Sequence, residues 1–440
     1  MPKQDAKAAG RPATTGLLRG VFAAGLIGFG GGSALIPVIE RQLVLKRPLL
    51  DESTYLRHTV VANVTPGALP VKLSGFAGAT LRGGGLALAA ATVVAAPGVL
   101  GTLSLLAASN ALGPTAVRVV SHASVGITAF IIVLLVGYIL RVHRQGRPLW
   151  LFVAITAISA LLSGAGPLMR LAALLVGAPF DASLPHLSAV QLIALALAVI
   201  VVASLFQRRP PQARRLDRPH SRGIWRATTV FIATGLLGIG MFAALRGLAG
   251  VQVGGLLALS TVTSFGGGEA YIGVAEGFFV RSGLIGTQEF FTQLVPIANA
   301  LPGPILVKVA AGVGYSFGAT SGPLAAWVLA AAAMLITISA SCAVALPVLA
   351  TYDSLRDHPL MINIGRYIMP VICGLLIQVC ASMLEVSASV AESVGVAAAP
   401  LTWVTLAMVA VLSYVHLKAL VPDTVLLLGC GAASLLILGF

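Results

Sequence analysis

The chain has 440 residues, 58% of them hydrophobic and only 10% charged, with a formal net charge of +14 and a mean hydropathy of +0.97. A soluble globular domain carries roughly 25% charged residues, whereas apolar runs of ~18 or more mark membrane helices. Such runs recur along the whole length, which excludes a soluble enzyme or a nucleic-acid-binding protein. The basic excess lies in loops, where it orients helices in a bilayer.

In chain order, residues 1–13 form a basic tail (Lys3, Lys7, Arg11), too polar for a signal peptide. Apolar segments follow at about 14–45, 54–81, 86–108, 117–140, 149–177 and 187–206. After residues 207–226, QRRPPQARRLDRPHSRGIWR, a second set runs at about 227–247, 248–280, 287–318, 321–350, 361–383, 396–416 and 422–440. Four domains are therefore expected: the tail 1–13, a first transporter domain 14–206, an Arg/Pro-rich linker 207–226 and a second transporter domain 227–440. The fold class predicted is an all-α polytopic membrane protein of about 13 transmembrane segments. Its contacts are with lipid, not nucleic acid. The positive-inside rule places the amino terminus, the linker, loop 141–147, Arg82, Arg281, Arg356 and Lys418 in the cytoplasm, and the carboxy terminus outside. Lys46 and Arg47 are the exception, falling outside.

The chain contains one stretch twice. Phe29–Gly78 aligns without a gap on Phe265–Gly314 at a constant offset of 236, and 16 of the 50 paired positions are identical. Glu40/Glu276, Asn63/Asn299, Pro66/Pro302, Gly67/Gly303 and Lys72/Lys308 are among them. An internal repeat of this kind defines the architecture. The copies begin seven segments apart, an odd shift, so they enter the membrane from opposite sides. Inverted repeats with broken helices place a substrate site near the midplane.

Each copy carries two breaks. Gly30, Gly31 and Gly32 precede Ser33 in copy one, as Gly266, Gly267 and Gly268 precede Glu269 in copy two. Pro66-Gly67 and Pro302-Gly303 form the second pair. Consecutive glycines disfavour helix, and proline cannot donate to its ladder. A half-helix starting after such a break offers free N–H groups and a partial positive charge, which suits an anion. Lys72 and Lys308 stand shortly after the second breaks. An ammonium at membrane depth is either functional or paired; these two either attract an anionic substrate or pair with Glu40 and Glu276. The glutamates in turn are coupling-proton carriers or counter-ions, since burial raises a carboxylate pKa and a nearby lysine lowers it. Glu269, which has no carboxylate counterpart in copy one, is a third coupling candidate or a helix-start acid. Asn63 and Asn299 either cap freed backbone or donate to substrate.

The FGGG-x-A-x-I-P run of copy one, matched by FGGG-x-A-x-I-G in copy two and followed in each by a Pro-Gly turn, resembles the chromate ion transporter family in its long, two-domain form. That resemblance implies a proton-motive-force-driven secondary transporter of the bacterial inner membrane that exports chromate, with Phe29 to Gly32, Pro66-Gly67, Phe265 to Gly268 and Pro302-Gly303-Pro304 in its motifs. The sequence departs from the family in Pro-Gly-Ala for Pro-Gly-Pro, and in its two lysines. Sulfate or another oxyanion therefore stays open as substrate, as does a passive channel, and a homodimer is an open possibility. No P-loop and no His-Glu-x-x-His helix occurs. Cys342, Cys373, Cys380 and Cys430 lie in apolar runs without metal-ligand spacing. An intramembrane enzyme stays only as a remote alternative, and neither a cofactor nor a metal is expected.

Overall fold

The apolar runs become helix. A computed structural model of the protein describes residues 10–27, 35–111, 114–145, 148–176, 187, 189–206, 221–265, 268–355, 358–393, 396–418 and 420–438, with no strand among them. Copy one and its flanks comprise α1 Gly10–Ile27, α2 Leu35–Glu40, α3 Glu52–Val64, α4 Leu69–Arg82, α5 Gly84–Ala111, α6 Pro114–Gln145, α7 Leu149–Val176 and α8 Ala189–Leu205. There follow α9 Ser221–Val262, α10 Gly268–Ala275, α11 Thr287–Glu289, α12 Val295–Ala300, α13 Ile305–Ala319, α14 Pro323–Leu355, α15 Pro359–Ser393, α16 Ala398–Leu417 and α17 Asp423–Leu438. π-helical turns extend α2 (Arg41–Leu45) and α10 (Glu276–Val280), almost the same place in the two copies, and Phe290–Leu294 joins α11 to α12.

Thirteen apolar segments are present, but four of them double back instead of crossing. The π turn after α2 lies back alongside α1: a Cβ built on Gly20 would lie 3.1 Å from Leu43, and one on Gly16 3.7 Å from Leu49. α3 and α4 likewise run antiparallel. His58 stacks edge-on against Phe76 at 5.5 Å and reaches Thr80 at 3.3 Å. In copy two, Ser260 Oγ meets Tyr271 OH at 3.1 Å across the first hairpin, and Ser316 Oγ donates to Glu289 at 2.6 Å across the second. α9 itself folds over at Gly247 (φ 57°), so that a Cβ on Gly250 would sit 2.0 Å from the Phe242 carbonyl. Its limb 221–246 crosses; its limb 248–262 opens the copy-two hairpin. Length explains the hairpins: as one helix, residues 14–45 would span about 48 Å, against ~30 Å of hydrocarbon.

Contacts between helix ends assign each end to a face. One face gathers Thr14 and Arg82 (3.2 Å), Gly84 against Ala227, Arg57 with the Leu349 carbonyl (3.3 Å), Asn363 with Ser204 (2.9 Å) and His416 with Asp423 (2.7 Å). The other gathers Arg246 with Ser321 (2.6 Å), Arg281 with the Ser163 carbonyl (3.3 Å), Leu187 with Leu162 (2.8 Å), Trp403 with Leu175 (3.3 Å) and Ser434 with His122 (2.7 Å). The hairpins of copy one enter from the first face and those of copy two from the second. Five crossings separate them (α5, α6, α7, α8 and the first limb of α9), still an odd number, so the repeats are inverted. Six described helices are long and apolar enough to cross, seven with α7, which bends by 86° near residue 164. The alternation of faces carries the shorter α8 and α17 across too, making nine.

Two orientation assignments change with the hairpins. Lys46 and Arg47 return to the face that holds Arg82, Arg226 and Lys418, so the exception to the expected charge asymmetry disappears. Arg281 moves to the far face. Cysteines substituted at Arg47 and in the linker are expected to react with an impermeant thiol reagent from one side, and Ser321→Cys from the other. Reaction of Arg47→Cys from the Ser321 side would restore a straight first span.

Candidate functional site

The two Pro-Gly tips have one backbone shape. Thr65 and Leu301, which end α3 and α12, adopt φ/ψ of −100/150° and −105/149°; Ala68 and Pro304, which start α4 and α13, adopt −67/111° and −70/111°. Between them Gly67 and Gly303 take φ of 98° and 97°, a region that residues with a Cβ avoid. Pro66 and Pro302 supply the missing N–H that ends each ladder. At the mouth of the α3–α4 hairpin Asp51 caps α3 by accepting from Thr54 N (2.9 Å), and hydroxyl donors on Ser53 and Thr54 hold its carboxyl well below the usual range.

Each tip docks on the opposite copy. Gly67 N–H donates to the Ser264 carbonyl at 2.7 Å, two residues before the copy-two glycine run, and Ala68 N–H donates to Ser341 Oγ on α14 at 3.0 Å. On the other side of the pseudo-twofold, Gly303 lies against Gly98 of α5 and within 3.6 Å, from a built Cβ, of the Gly25 carbonyl at the end of α1. The two Pro-Gly tips thus each meet a described residue that precedes a glycine run of the opposite half, Ser264 and Gly25. Gly30, Gly31, Gly32, Ser33, Gly266 and Gly267 lie outside the described residues; Gly268 opens α10, and Glu269 follows it there with its side chain outside the description.

Lys72 and Lys308 are fully buried behind the two tips. Lys72 Nζ donates to the carbonyls of Ala62 and Thr65, both at 2.6 Å, with Thr65 Oγ1 at 3.4 Å. Three acceptors around one nitrogen fit the three hydrogens of an ammonium. Lys308 Nζ donates to the carbonyls of Leu301 (2.5 Å) and Pro302 (3.3 Å). Each lysine therefore reaches back over its tip and caps the carbonyl end of the preceding half-helix, where the dipole is negative. Lys72 is not paired with Glu40, nor Lys308 with Glu276. Glu276 instead accepts from Arg281 Nε (3.3 Å) and Gln378 Nε2 (2.9 Å), and Glu40 is half-buried on α2.

The π turn makes the Glu276–Arg281 pair. Residues five apart point away from each other on an α-helix but stack when the ladder runs i to i+5, as Arg281 N–H to the Glu276 carbonyl (3.2 Å) does here. The π turn of copy one brings together a different pair five residues apart, Gln42 and Arg47, at 2.5 Å. Asn63 and Asn299 behave identically, each donating Nδ2 to the carbonyl four residues back (Thr59, 2.8 Å; Val295, 2.9 Å), so neither caps the break itself. Sequence reasoning missed Ser264, Ser341 and Gly98, which meet the tips from afar. The Ser264 hydroxyl is buried without a partner among the described residues.

A model of the chromate transporter family matches residues 15–180 and again 251–435, the two halves of the fold. The uncharacterized transporter YwrB of Bacillus subtilis strain 168 is 32% identical over 93 residues, 21% of this chain and 47% of that protein. The uncharacterized transporter YwrA of the same organism is 29% identical over 119 residues, 27% of this chain and 63% of its own length. The matches thus span roughly half to two thirds of these relatives. No solved structure matches.

Proposed function

This chain belongs to the chromate transporter family, and from that premise we propose that it exports chromate from the cytoplasm across the bacterial inner membrane, driven by the proton gradient. The observation that carries the reading is the pair of buried ammonium groups behind inverted, docked hairpin tips. Carbonyls satisfy their hydrogen bonds but not their charge, and a charge at membrane depth calls for a counter-charge. A dianion at the tip junction supplies it. The glycine runs (Gly30 to Gly32 with Ser33, Gly266 to Gly268), Pro66-Gly67 and Pro302-Gly303 would form the cradle. Donors would come from its backbone and from the Asn63 and Asn299 amides. Lys72 and Lys308 would act from behind, neutralising the carbonyl ends that would otherwise repel the anion. The Ser264 hydroxyl is a further donor at this junction. Sulfate has the same charge and tetrahedral oxygen arrangement, so it should compete.

The coupling proton is assigned to a carboxylate among Glu40, Glu269 and Glu276. Glu276 is the best supported, being only 7% exposed yet bonded to an arginine and a glutamine. Everted membrane vesicles containing the protein should take up radiolabelled chromate, excess sulfate should slow that uptake, and an uncoupler should stop it. Uptake that ignores the uncoupler would leave a passive pathway and remove the coupling role from all three glutamates. No uptake by correctly inserted protein would remove chromate as the substrate.

A further inference from the structure

We propose that a cavity at the far face, between α7, α10 and α15, is a second binding site for the transported oxyanion, at the outer mouth of the path that begins at the hairpin tips. The proposal rests on the transport reading above and extends it. The cavity holds about 440 Å³, and its polar lining is Arg170, Arg281, Glu276, Glu385, Thr287 and Ser382. α10 connects the two places: it starts at Gly268 in the tip junction and its π turn ends at Val280 in the cavity wall.

Both carboxylates of this cavity are already held by arginines, whereas several of its donors have no partner among the described residues. Glu276 is occupied by Arg281 and Gln378, and Glu385 by both Nε (3.1 Å) and Nη2 (3.3 Å) of Arg170. Arg281 is anchored twice over. Its Nε holds Glu276, and its Nη2 takes the Ser163 carbonyl, which Pro167, lacking an N–H, leaves open four residues on. Its Nη1 is buried with no partner. The hydroxyls of Ser382 and Thr287 also make no hydrogen bond among the described residues. A fully deprotonated oxyanion such as the chromate or sulfate dianion accepts without donating, so it is a ligand class that these unpartnered donors fit, and a guanidinium matches two oxygens of a tetrahedral anion at once.

The two carboxylates do not spoil the site; they set its strength. They compete with the anion for the same guanidiniums and reclaim them when it leaves. Binding is therefore weak, as the last station of a transport path must be if it is to release its cargo. Arg170, whose side chain is about half exposed, is reached by solvent from the far side.

The test uses the full-length protein in liposomes with the far face outward. Phenylglyoxal modifies accessible arginine, and mass spectrometry reads its attachment at Arg170. Chromate or sulfate in the outer medium should suppress that attachment, and chloride at equal ionic strength should not. Arg170→Gln should raise the KM for chromate offered from the far face about tenfold relative to the KM from the basic face, the loss of one charge-assisted bond. Arg170→Lys should fall between the two. Labelling of Arg170 that is equal with and without either oxyanion overturns the proposal, whatever the kinetics, and the measurement needs only wild-type protein should the variants misfold. Protection by chromate in a protein that transports none would leave this site standing and remove the transport reading.

Discussion

Gly67→Ala is expected to abolish anion transport and to lower stability by roughly 2–5 kcal/mol. About 1–2 kcal/mol comes from forcing a Cβ into a left-handed backbone and about 1–3 kcal/mol from overpacking. Gly67 has φ 98°, and a built Cβ would lie 2.6 Å from Ser341 Oγ and 2.8 Å from Ser341 Cα. The tip cannot give way without surrendering its bond to the Ser264 carbonyl, which joins it to the other copy. Gly83 provides the comparison. Its φ is 90° but nothing lies within 4 Å of its Cβ position, so Gly83→Ala should show the backbone cost alone and keep transport. Gly98→Ala should reproduce the transport loss from the opposite side of the pseudo-twofold with no φ cost, because its Cβ would meet the Pro302 carbonyl at 2.3 Å. Thermal melts and vesicle uptake of the three variants separate packing from conformation. Normal transport in both Gly67→Ala and Gly98→Ala would mean that the docked tips are not the moving or binding parts.

The second large effect concerns the lysine caps. Lys72→Met leaves the Ala62 and Thr65 carbonyls without their partner, at about 1–3 kcal/mol for each buried acceptor. It also removes a positive charge from behind the tip, weakening the anion by a further ~1–3 kcal/mol. Lys308→Met should do the same through Leu301 and Pro302. Lys72→Gln retains two donors without the charge, so it should recover part of the stability and none of the anion affinity. Adding Glu40→Gln to Lys72→Met, or Glu276→Gln to Lys308→Met, should rescue nothing, since Lys72 is not bonded to Glu40 nor Lys308 to Glu276. Rescue by either double change would show a lysine–glutamate pair that this arrangement lacks. Unchanged anion affinity in both methionine variants would limit the lysines to holding the tips together.

Composition alone decided that this is a helical membrane protein, because no soluble chain hides so many apolar runs with so little charge. The offset of 236 decided that it is built from two copies. The glycine runs and Pro-Gly pairs decided where helices must stop, since those residues act locally through φ and a missing N–H. The parity that makes the repeats inverted was also legible, because turning a span into a hairpin removes crossings without exchanging the copies' faces when two are removed between them.

What local chemistry could not decide was the direction of the chain after each break. Whether α4 continues α3 or returns beside it depends on what the tip meets, and that is Ser264 and Ser341, more than 190 residues away. The same holds for the charges. Lys72 and Glu40 recur together in the repeat and invite pairing, yet the hairpin brings the ammonium onto its own tip carbonyls first. Glu276 finds Arg281 only because a π turn rotates residue i+5 into register. Arg170 and Glu385, 215 positions apart, meet only because α7 and α15 pack side by side between the faces. A break is written in the residues that make it, whereas a partner is chosen by the packing of helices that the sequence holds far apart.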